Sequence, residues 1–376
     1  MLIKNKKLSY IAELNLCSKS AYKHQVLKMC DAFSELGYDV TLYIISNSNL
    51  TFGKIKKNHL LKKKFKIIPL FNKKIELNFF YRLIFFLKLL IRNSKIKKTI
   101  IYTRSVLTSL FYSIFGRENY LEIHQANSGF TELLFKFFKK KILKHTNFIL
   151  ISQNLNNFFL FPNDKFIIAD DGVDIRDFKH TPNNEISEIK NSCVYTGSFH
   201  KGKGFEFIIK LAKKNKKINF FIYGDINTAQ KKSLKNIKKI KNLNLMGYIN
   251  YHNIPRILKK HPIILMPYEK KVFGNHETAN LAKFMSPLKM FDYLASKKII
   301  ISSKNQNIEK ILKNNYNSIL CDKLNLNEWS KKIFYSMNNM NLKKTLGKNA
   351  FSTAKKFTWK VRANKIIKFI KKQNIS

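Results

Sequence analysis

The amino-acid sequence predicts an α/β protein of two doubly wound domains with a cleft between them. Three observations carry that prediction. Short apolar runs alternate with amphipathic helical stretches. The alternation comes in two successive sets, separated by a polar segment. A chain of 376 residues is also long enough to build two cores. Apolar residues make up 45% of it, which excludes a disordered chain. Strands that alternate with helices give parallel sheets, and such sheets take ligands at the carboxyl ends of their strands.

In the first set, a strand at 8–12 leads through the loop 15–20 into a helix at 21–36. Gly37 stops that helix, and a strand at 39–45 closes one strand–helix–strand unit. A strand at 67–70, a helix at 77–91, a strand at 99–102 and a helix at 105–115 follow. The strand at 120–123 ends in His124, and strands at 148–152 and 166–168 continue the pattern. Residues 170–178, "DDGVDIRDF", read as a turn, and the polar, Pro-containing residues 179–191 read as the interdomain linker. The second set has strands at 193–196, 219–223, 243–246, 263–266, 299–302 and 318–321, and long helices end the chain.

Lys and Arg total 71 against 23 acidic residues, a formal net charge of +48. Such a balance attracts nucleic acid, an anionic membrane or an anionic substrate. The lysines are spread along both halves, and Lys, Asn and Ile are abundant together, as AT-rich coding favours. Much of the charge therefore reads as compositional drift; the remainder suits a membrane face and a phosphate-rich ligand. Cys17, Cys30, Cys193 and Cys321 have no paired spacing, which argues against a zinc site or a disulfide scaffold and suits a reducing cytoplasm. No secretory signal pattern follows the basic residues 1–7. The most apolar stretch, 77–91, is too short to span a bilayer and contains Arg82 and Lys88. It and the stretch 130–145 read as aromatic-rich helices with interleaved lysines. That pattern fits either attachment to an anionic leaflet or ordinary domain helices with solvated lysine faces.

The most informative words are "MSPLKMFDYLAS" at 285–296, followed by "KKIIISS". Ser286 is a favoured N-cap and Pro287 suits the first helical position. Leu288, Phe291 and Ala295 share one face, while Lys289 and Asp292 share another. The helix start offers free amides to an anion. Asp292, five residues past Pro287, lies about 7.5 Å further along the axis. A nucleoside diphosphate, with phosphates at the helix start and a ribose at the carboxylate, has that shape. A capped helix before a strand is equally an ordinary part of α/β proteins. A strand, a loop with Gly197, Gly202 and Gly204 beside Lys201 and Lys203, and a helix make up "VYTGSFHKGKGFEFIIKLA" at 194–212. It is neither a P-loop nor the dinucleotide fingerprint, and an ordinary strand-to-helix turn reads the same way. His124, at a strand end, is by type more often structural than catalytic.

The stretches 194–204 and 285–303 closely resemble the donor-binding loop and helix of retaining glycosyltransferases of family four; weaker resemblance covers nearly the whole chain. The resemblance implies the GT-B fold, two Rossmann-like domains facing a central cleft. It implies an acceptor domain at 1–180, a nucleotide-sugar domain at 190–355 and a final helix, 356–376, that crosses back. It makes Lys203 the diphosphate contact and places Gly197, Ser198, Gly202, Gly204, Ser286, Pro287, Leu288 and Lys289 around the donor phosphates. Asp292 stands where the family has a ribose-binding Glu. Tyr248 and Ile249, in "MGYIN", fall near the base, and Glu277, after His276, falls near the donor sugar. "YLEIHQ" resembles the strand that ends in an active-site His, which assigns that role to His124. "FTW" at 357–359 resembles the segment before the last helix. The chain departs from the pattern at Phe284, where the family has a second Glu, at Ser198, where it has Arg, and in the glycine-free loop 13–21. Asp171 and Asp174 match the family's "nGvD" turn, so the resemblance implies no metal and no cofactor.

The implied activity is transfer of a hexosyl-type sugar from a nucleotide-diphosphate sugar to a glycan or lipid-linked acceptor, with retention. The setting would be cell-surface polysaccharide or lipopolysaccharide assembly, in the cytoplasm or at the inner face of its membrane, without nucleic acid as partner. Two alternatives stay open at this point: a nucleotide-sugar epimerase on the same fold, and a non-catalytic basic protein that binds nucleic acid or membrane.

Overall fold

The computed structural model describes residues 6–46, 50–72, 75, 78–93, 99–126, 129–179, 187–225, 237, 239–273, 280–322 and 324–374. The chain divides into two compact units. One is Met1–Asp171 together with Trp359–Ser376, and the other is Gly172–Thr358.

The first unit holds strands β1 (Lys7–Ile11), β2 (Asp39–Ser46), β3 (Lys66–Phe71), β4 (Ile100–Thr103), β5 (Asn119–Ile123), β6 (Thr146–Leu150) and β7 (Phe166–Ile168). They form one sheet in the order β3-β2-β1-β4-β5-β6-β7. Every pairing is parallel. Strand order reverses between β1 and β4, the place where doubly wound sheets open a crevice. β4, β5 and β6 are buried throughout, as strands covered by helices on both faces must be. The last helix, Trp359–Gln373, belongs to this unit and packs against the helix Ala21–Glu35. It buries Trp359, Arg362, Ala363, Ile366 and Ile370.

The second unit holds β8 (Ser192–Thr196), β9 (Asn219–Tyr223), β10 (Leu243–Gly247), β11 (Ile263–Met266), β12 (Ile299–Ser303) and β13 (Ile319–Cys321). Their order is β10-β9-β8-β11-β12-β13, again all parallel, with the reversal between β8 and β11. Two apolar clusters form its core. One includes Met290, Phe291 and Leu294. The other includes Phe205, Ile208 and Trp329.

Several expectations need correction. The helix expected from Ser286 runs over Leu288–Ala295, with Pro287 as its N-cap residue at ψ 118°. Proline fixes φ but leaves ψ free, and this extended ψ keeps Pro287 out of the first turn. A single apolar face was expected from Leu288, Phe291 and Ala295. Instead Met290, Phe291, Tyr293, Leu294 and Ala295 are all buried and Leu288 is half-buried. The helix Met340–Lys356 packs against this helix as well. The stretch 130–145 is two helices, Gly129–Phe137 and Lys139–His145, broken at Phe138. The helix expected at 77–91 spans Phe79–Asn93, because Asn78 Oδ1 accepts the Tyr81 amide at 2.9 Å and fixes its start. A basic helix, Phe52–His59, was not anticipated; its start is capped by Thr51. All four cysteines are free thiols. No helix among the described residues is long and apolar enough to cross a membrane.

Candidate active site

In the second unit the site grows from the carboxyl end of β8, at the reversal of strand order. The chain leaves β8 through Gly197 at φ +137° and enters the helix Phe205–Lys214 at Gly204. Gly202 and Gly204 have φ +83° and +81°. A Cβ on either would lie 1.9 Å from a backbone oxygen, that of Lys271 or of Pro267 respectively. The loop therefore lies flat against residues 267–273. Glu269 donates its amide to Gly202 O at 2.9 Å and Phe273 to Lys201 O at 3.0 Å. Held this way, Lys203 Nζ donates to Ser198 Oγ at 2.7 Å. Burial lowers the Lys203 ammonium to about 8.

The helix Leu288–Ala295 delivers a second cation to the same place. Lys289 Nζ sits 4.0 Å from the ring centroid of Tyr195 and 4.8 Å from that of Tyr268. The Tyr195 hydroxyl donates to Ser198 O at 2.9 Å. The Cβ position of Gly197 lies 3.6 Å from Lys289 Nζ, which puts the cation beside the loop. Desolvation, then the nearby Lys203, push the Lys289 ammonium well below its ordinary range. Tyr293 fastens this helix to β8: its hydroxyl accepts from Thr196 N and donates to Thr196 O, both at 3.1 Å. Ser286 and Pro287 precede the helix. The Pro287 carbonyl accepts the Met290 amide at 2.9 Å, and Pro287, as the N-cap residue, makes no side-chain cap of its own.

Asp292 lies one turn further on. Tyr251 donates its hydroxyl to Asp292 Oδ1 at 3.1 Å. Burial, then the Asp292 charge, keep the Tyr251 hydroxyl protonated far above neutral pH. Tyr248 is exposed, just after Gly247 at φ +72°. Ile249 is half-buried and packs on the core cluster that includes Met290. His276 and Glu277 lie outside the described residues. The structure thus gathers Gly197, Ser198, Gly202, Lys203, Gly204 and Lys289 at one strand end, with Asp292 a turn away.

In the first unit His124 directly follows β5 and is half-buried. Its Nε2 lies 2.5 Å from Oε1 of Glu122. Its Nδ1 lies 3.9 Å from Oδ2 of Asp171. Burial, then Arg104, lower the imidazole to about 4, so it is neutral at pH 7. Burial raises the Asp171 carboxyl to about 7. Glu122, His124 and Asp171 bring ligand atoms within 4.8 Å of one another. The Arg362 guanidinium already holds Glu122, at 2.9 Å, and a cation there would meet its charge.

Residues 177–353 match the model of the family Glycosyl transferases group 1. An uncharacterized glycosyltransferase of Methanocaldococcus jannaschii is 26% identical over 170 residues, 45% of this chain and 44% of its own length. That match therefore spans less than half of the relative. Among solved structures, a glycosyltransferase from Rickettsia africae superposes with TM-score 0.75 at 15% identity, over 97% of this chain and 98% of that one. The Anabaena protein HepE, in complex with UDP and glucose, superposes with TM-score 0.71 at 11% identity, over 98% of this chain and 99% of that one. The fold is GT-B, two parallel-sheet α/β domains.

Sequence reasoning missed Tyr195, Tyr251, Tyr268 and Tyr293, which seat Lys289, Asp292 and the helix Leu288–Ala295. It also missed Glu122 and Arg362. Tyr195 and Glu122 stand next to residues it selected, in "VYTG" and "LEIH". A buried acid two residues before a candidate histidine was the available signal.

Proposed function

We propose that the protein is a retaining, metal-independent glycosyltransferase. It would move a hexosyl-type sugar from a nucleotide-diphosphate sugar to a glycan or lipid-linked acceptor. The family match over 177–353 and the UDP- and glucose-bound neighbour support a nucleotide-sugar donor. The observation that carries the reading is two desolvated lysines, Lys203 and Lys289, collected at the β8 switch point.

The leaving group is a nucleoside diphosphate, and the barrier is dominated by the negative charge it gains. Preorganised cations and amides lower that barrier most where water is excluded. Lys203, Lys289 and the amides after Pro287 supply them. Both lysines are costly to charge when the site is empty, so a bound diphosphate draws them into the ammonium form. Lys289 takes the place of the phosphate cation that Ser198 does not provide. Asp292, oriented by Tyr251, accepts from ribose hydroxyls. Tyr248 borders the base, Ile249 supports it from the core, and Glu277 addresses the sugar. The acceptor is part of cell-surface glycan assembly at the cytoplasmic membrane, without nucleic acid as partner.

The test is a thermal-shift panel of UDP-, GDP-, ADP- and CMP-sugars on wild type and Asp292→Ala. A ligand at about 100 times its Kd stabilises by about 2.7 kcal/mol, which moves a melting point by several degrees. Stabilisation by one nucleotide class, lost in the variant, supports the reading. No shift with any of them at millimolar concentration would sink it and favour a non-catalytic basic binding protein.

A further inference from the structure

The helix Leu288–Ala295 has a second end. Its first turn brings Lys289 to the glycine loop. Its C-cap, Ser296, stands about 10 Å further along the axis and borders a separate cavity of about 480 Å³. All of the cavity's lining belongs to the second unit. Glu188, Lys259 and Lys298 line it, and they stand shortly before β8, β11 and β12 respectively. The cavity therefore lies at the amino ends of these parallel strands, whereas Gly197 and Lys203 follow the carboxyl end of β8. The proposed transfer reaction does not use it.

Four of the lining residues are lysines, Lys179, Lys259, Lys297 and Lys298, against one acid, Glu188. Glu188 is engaged twice: Lys298 Nζ lies 2.5 Å from its Oε2, and Lys343 donates to its Oε1. Burial, then Lys297 and Lys298, lower the Lys259 ammonium, so these three cations stand close enough to oppose one another. The helices Ile175–Lys179, Ile254–Lys259 and Leu288–Ala295 all end here, and lysine is an ordinary partner for a helix carboxyl end. Each such end carries at most about half a negative charge, and the two short helices carry less. Together with Glu188 they do not offset four ammonium groups.

The backbone is committed to this arrangement. Lys297 has φ +60°, the left-handed region that glycine usually takes just after a helix. A Cβ on Gly347 would lie 2.4 Å from Lys297 O, so the helix Met340–Lys356 presses directly on that residue's backbone. Lys297 Nζ sits 4.5 Å from the ring centroid of Phe351, on the same helix. Phe351 and the buried Phe178 give the cavity aromatic surface beside its cations.

We propose that this cavity is a second anion site, for a small phosphate ester whose phosphate meets Lys259, Lys297 and Lys298 and whose ring or apolar portion lies against Phe178 and Phe351. Its volume falls within the range of about 300–1,000 Å³ typical of small-molecule pockets. Lysine meets phosphate as a point charge, so the aromatic walls supply the selectivity. The site uses no residue of the β8 end and stands independently of the transferase reading.

The test is a ³¹P NMR titration of phenyl phosphate and of inorganic phosphate with the full chain carrying Lys203→Met, which weakens competition from the β8 end. Salt is held at about 0.15 M, where exposed charges are screened beyond about 8 Å. Phenyl phosphate should bind saturably with a Kd at or below about 1 mM, and inorganic phosphate several-fold more weakly, because only the ester reaches the phenyl rings. Lys259→Met together with Lys297→Gly should weaken phenyl phosphate on the order of tenfold. Lys365→Met together with Lys368→Met removes the same charge from exposed positions on the last helix and should leave the affinity unchanged. Lys297→Gly alone should raise the melting temperature, since glycine is unstrained at that φ, while it lowers the affinity. A lysine kept only for structure would not give these opposed signs. Absence of saturable binding, equal affinity for the two probes, equal losses in the two double variants, or an affinity untouched by Lys297→Gly would each overturn the proposal.

Discussion

At the scale of single residues, the two lysines at the β8 end set a pH dependence of known sign. Lys203 titrates near 8 in the folded chain, below the ordinary lysine value of 10.5. Below about pH 8 both folded and unfolded chains hold the proton, and the cost of burying the charge is fully present. Between about 8 and 10.5 the unfolded chain binds more protons, so the Lys203 contribution to stability rises with pH. If Lys203 meets the donor phosphates as proposed, nucleotide affinity moves the other way, because its ammonium is lost over the same window. Calorimetry in buffers of different ionisation enthalpy should therefore show proton uptake on binding of the nucleotide sugar that the panel identifies, at pH 8–9. Lys203→Met should weaken binding on the order of tenfold or more and abolish both pH trends. Proton release, or affinity that rises with pH, would contradict the role assigned to Lys203. Lys289→Met should cost a nucleoside diphosphate more affinity than it costs the nucleoside, since Lys289 sits with the loop and not with Asp292.

At the scale of elements, the glycine loop is the most constrained piece of the second unit. Gly204 is the N-cap of the helix Phe205–Lys214 at φ +81°, and a Cβ there would strike Pro267 O at 1.9 Å. Gly204→Ala combines left-handed strain with a backbone clash and should cost on the order of 2–4 kcal/mol. Gly53, with nothing within 4 Å of its Cβ position and a place in the helix Phe52–His59, is the control. Gly53→Ala should be neutral or stabilising by about 0.5–1 kcal/mol. Thermal unfolding of the two variants checks both; equal melting points would remove the close-approach account. The loop was legible in the sequence because its glycines follow a buried strand and precede an amphipathic helix, all within 19 residues. The two parallel sheets were legible for the same local reason. The tyrosines that seat the site were not. Tyr251 reaches Asp292 across 41 positions and Tyr293 reaches Thr196 across 97. No local period records such pairs, and a tyrosine among apolar residues reads simply as core. The start of the helix Leu288–Ala295 was misread because Ser-Pro suits a cap in general, while the ψ of Pro287 is decided by tertiary context. His124 stood out, but its partners lie on other elements, and only folding brings Arg362 to Glu122.

At the scale of the whole molecule, a GT-B fold with +48 formal charges must hold its surface apart from its own ligand chemistry. Charge spread this widely binds polyanions weakly everywhere, so a specific surface needs a second property. The first unit has one. Phe80, Leu133 and Phe137 are 63%, 67% and 82% exposed, and Ile91 and Phe130 are exposed as well. Phe79 and Phe130 meet edge to face at 5.4 Å, which joins the helices Phe79–Asn93 and Gly129–Phe137 at one place. Arg92, Lys136, Lys139, Lys140, Lys141 and Lys144 are exposed on these helices and the next one. On them Glu132 is already paired with Lys136 at 2.7 Å. Aromatic tips among lysines suit the boundary of an anionic leaflet, where the apolar and electrostatic contributions add. The protein should therefore co-sediment with phosphatidylcholine vesicles that contain phosphatidylglycerol, and much less with phosphatidylcholine alone. Raising the salt from about 0.1 M to about 1 M shortens the Debye length from about 10 Å to about 3 Å and should release most of it. Substituting Leu133→Ser and Phe137→Ser together should reduce vesicle binding while leaving retention on a phosphate resin unchanged, because only the apolar contribution is removed. Equal loss on both supports would show that charge alone attaches the protein, and the exposed aromatics would then need another partner.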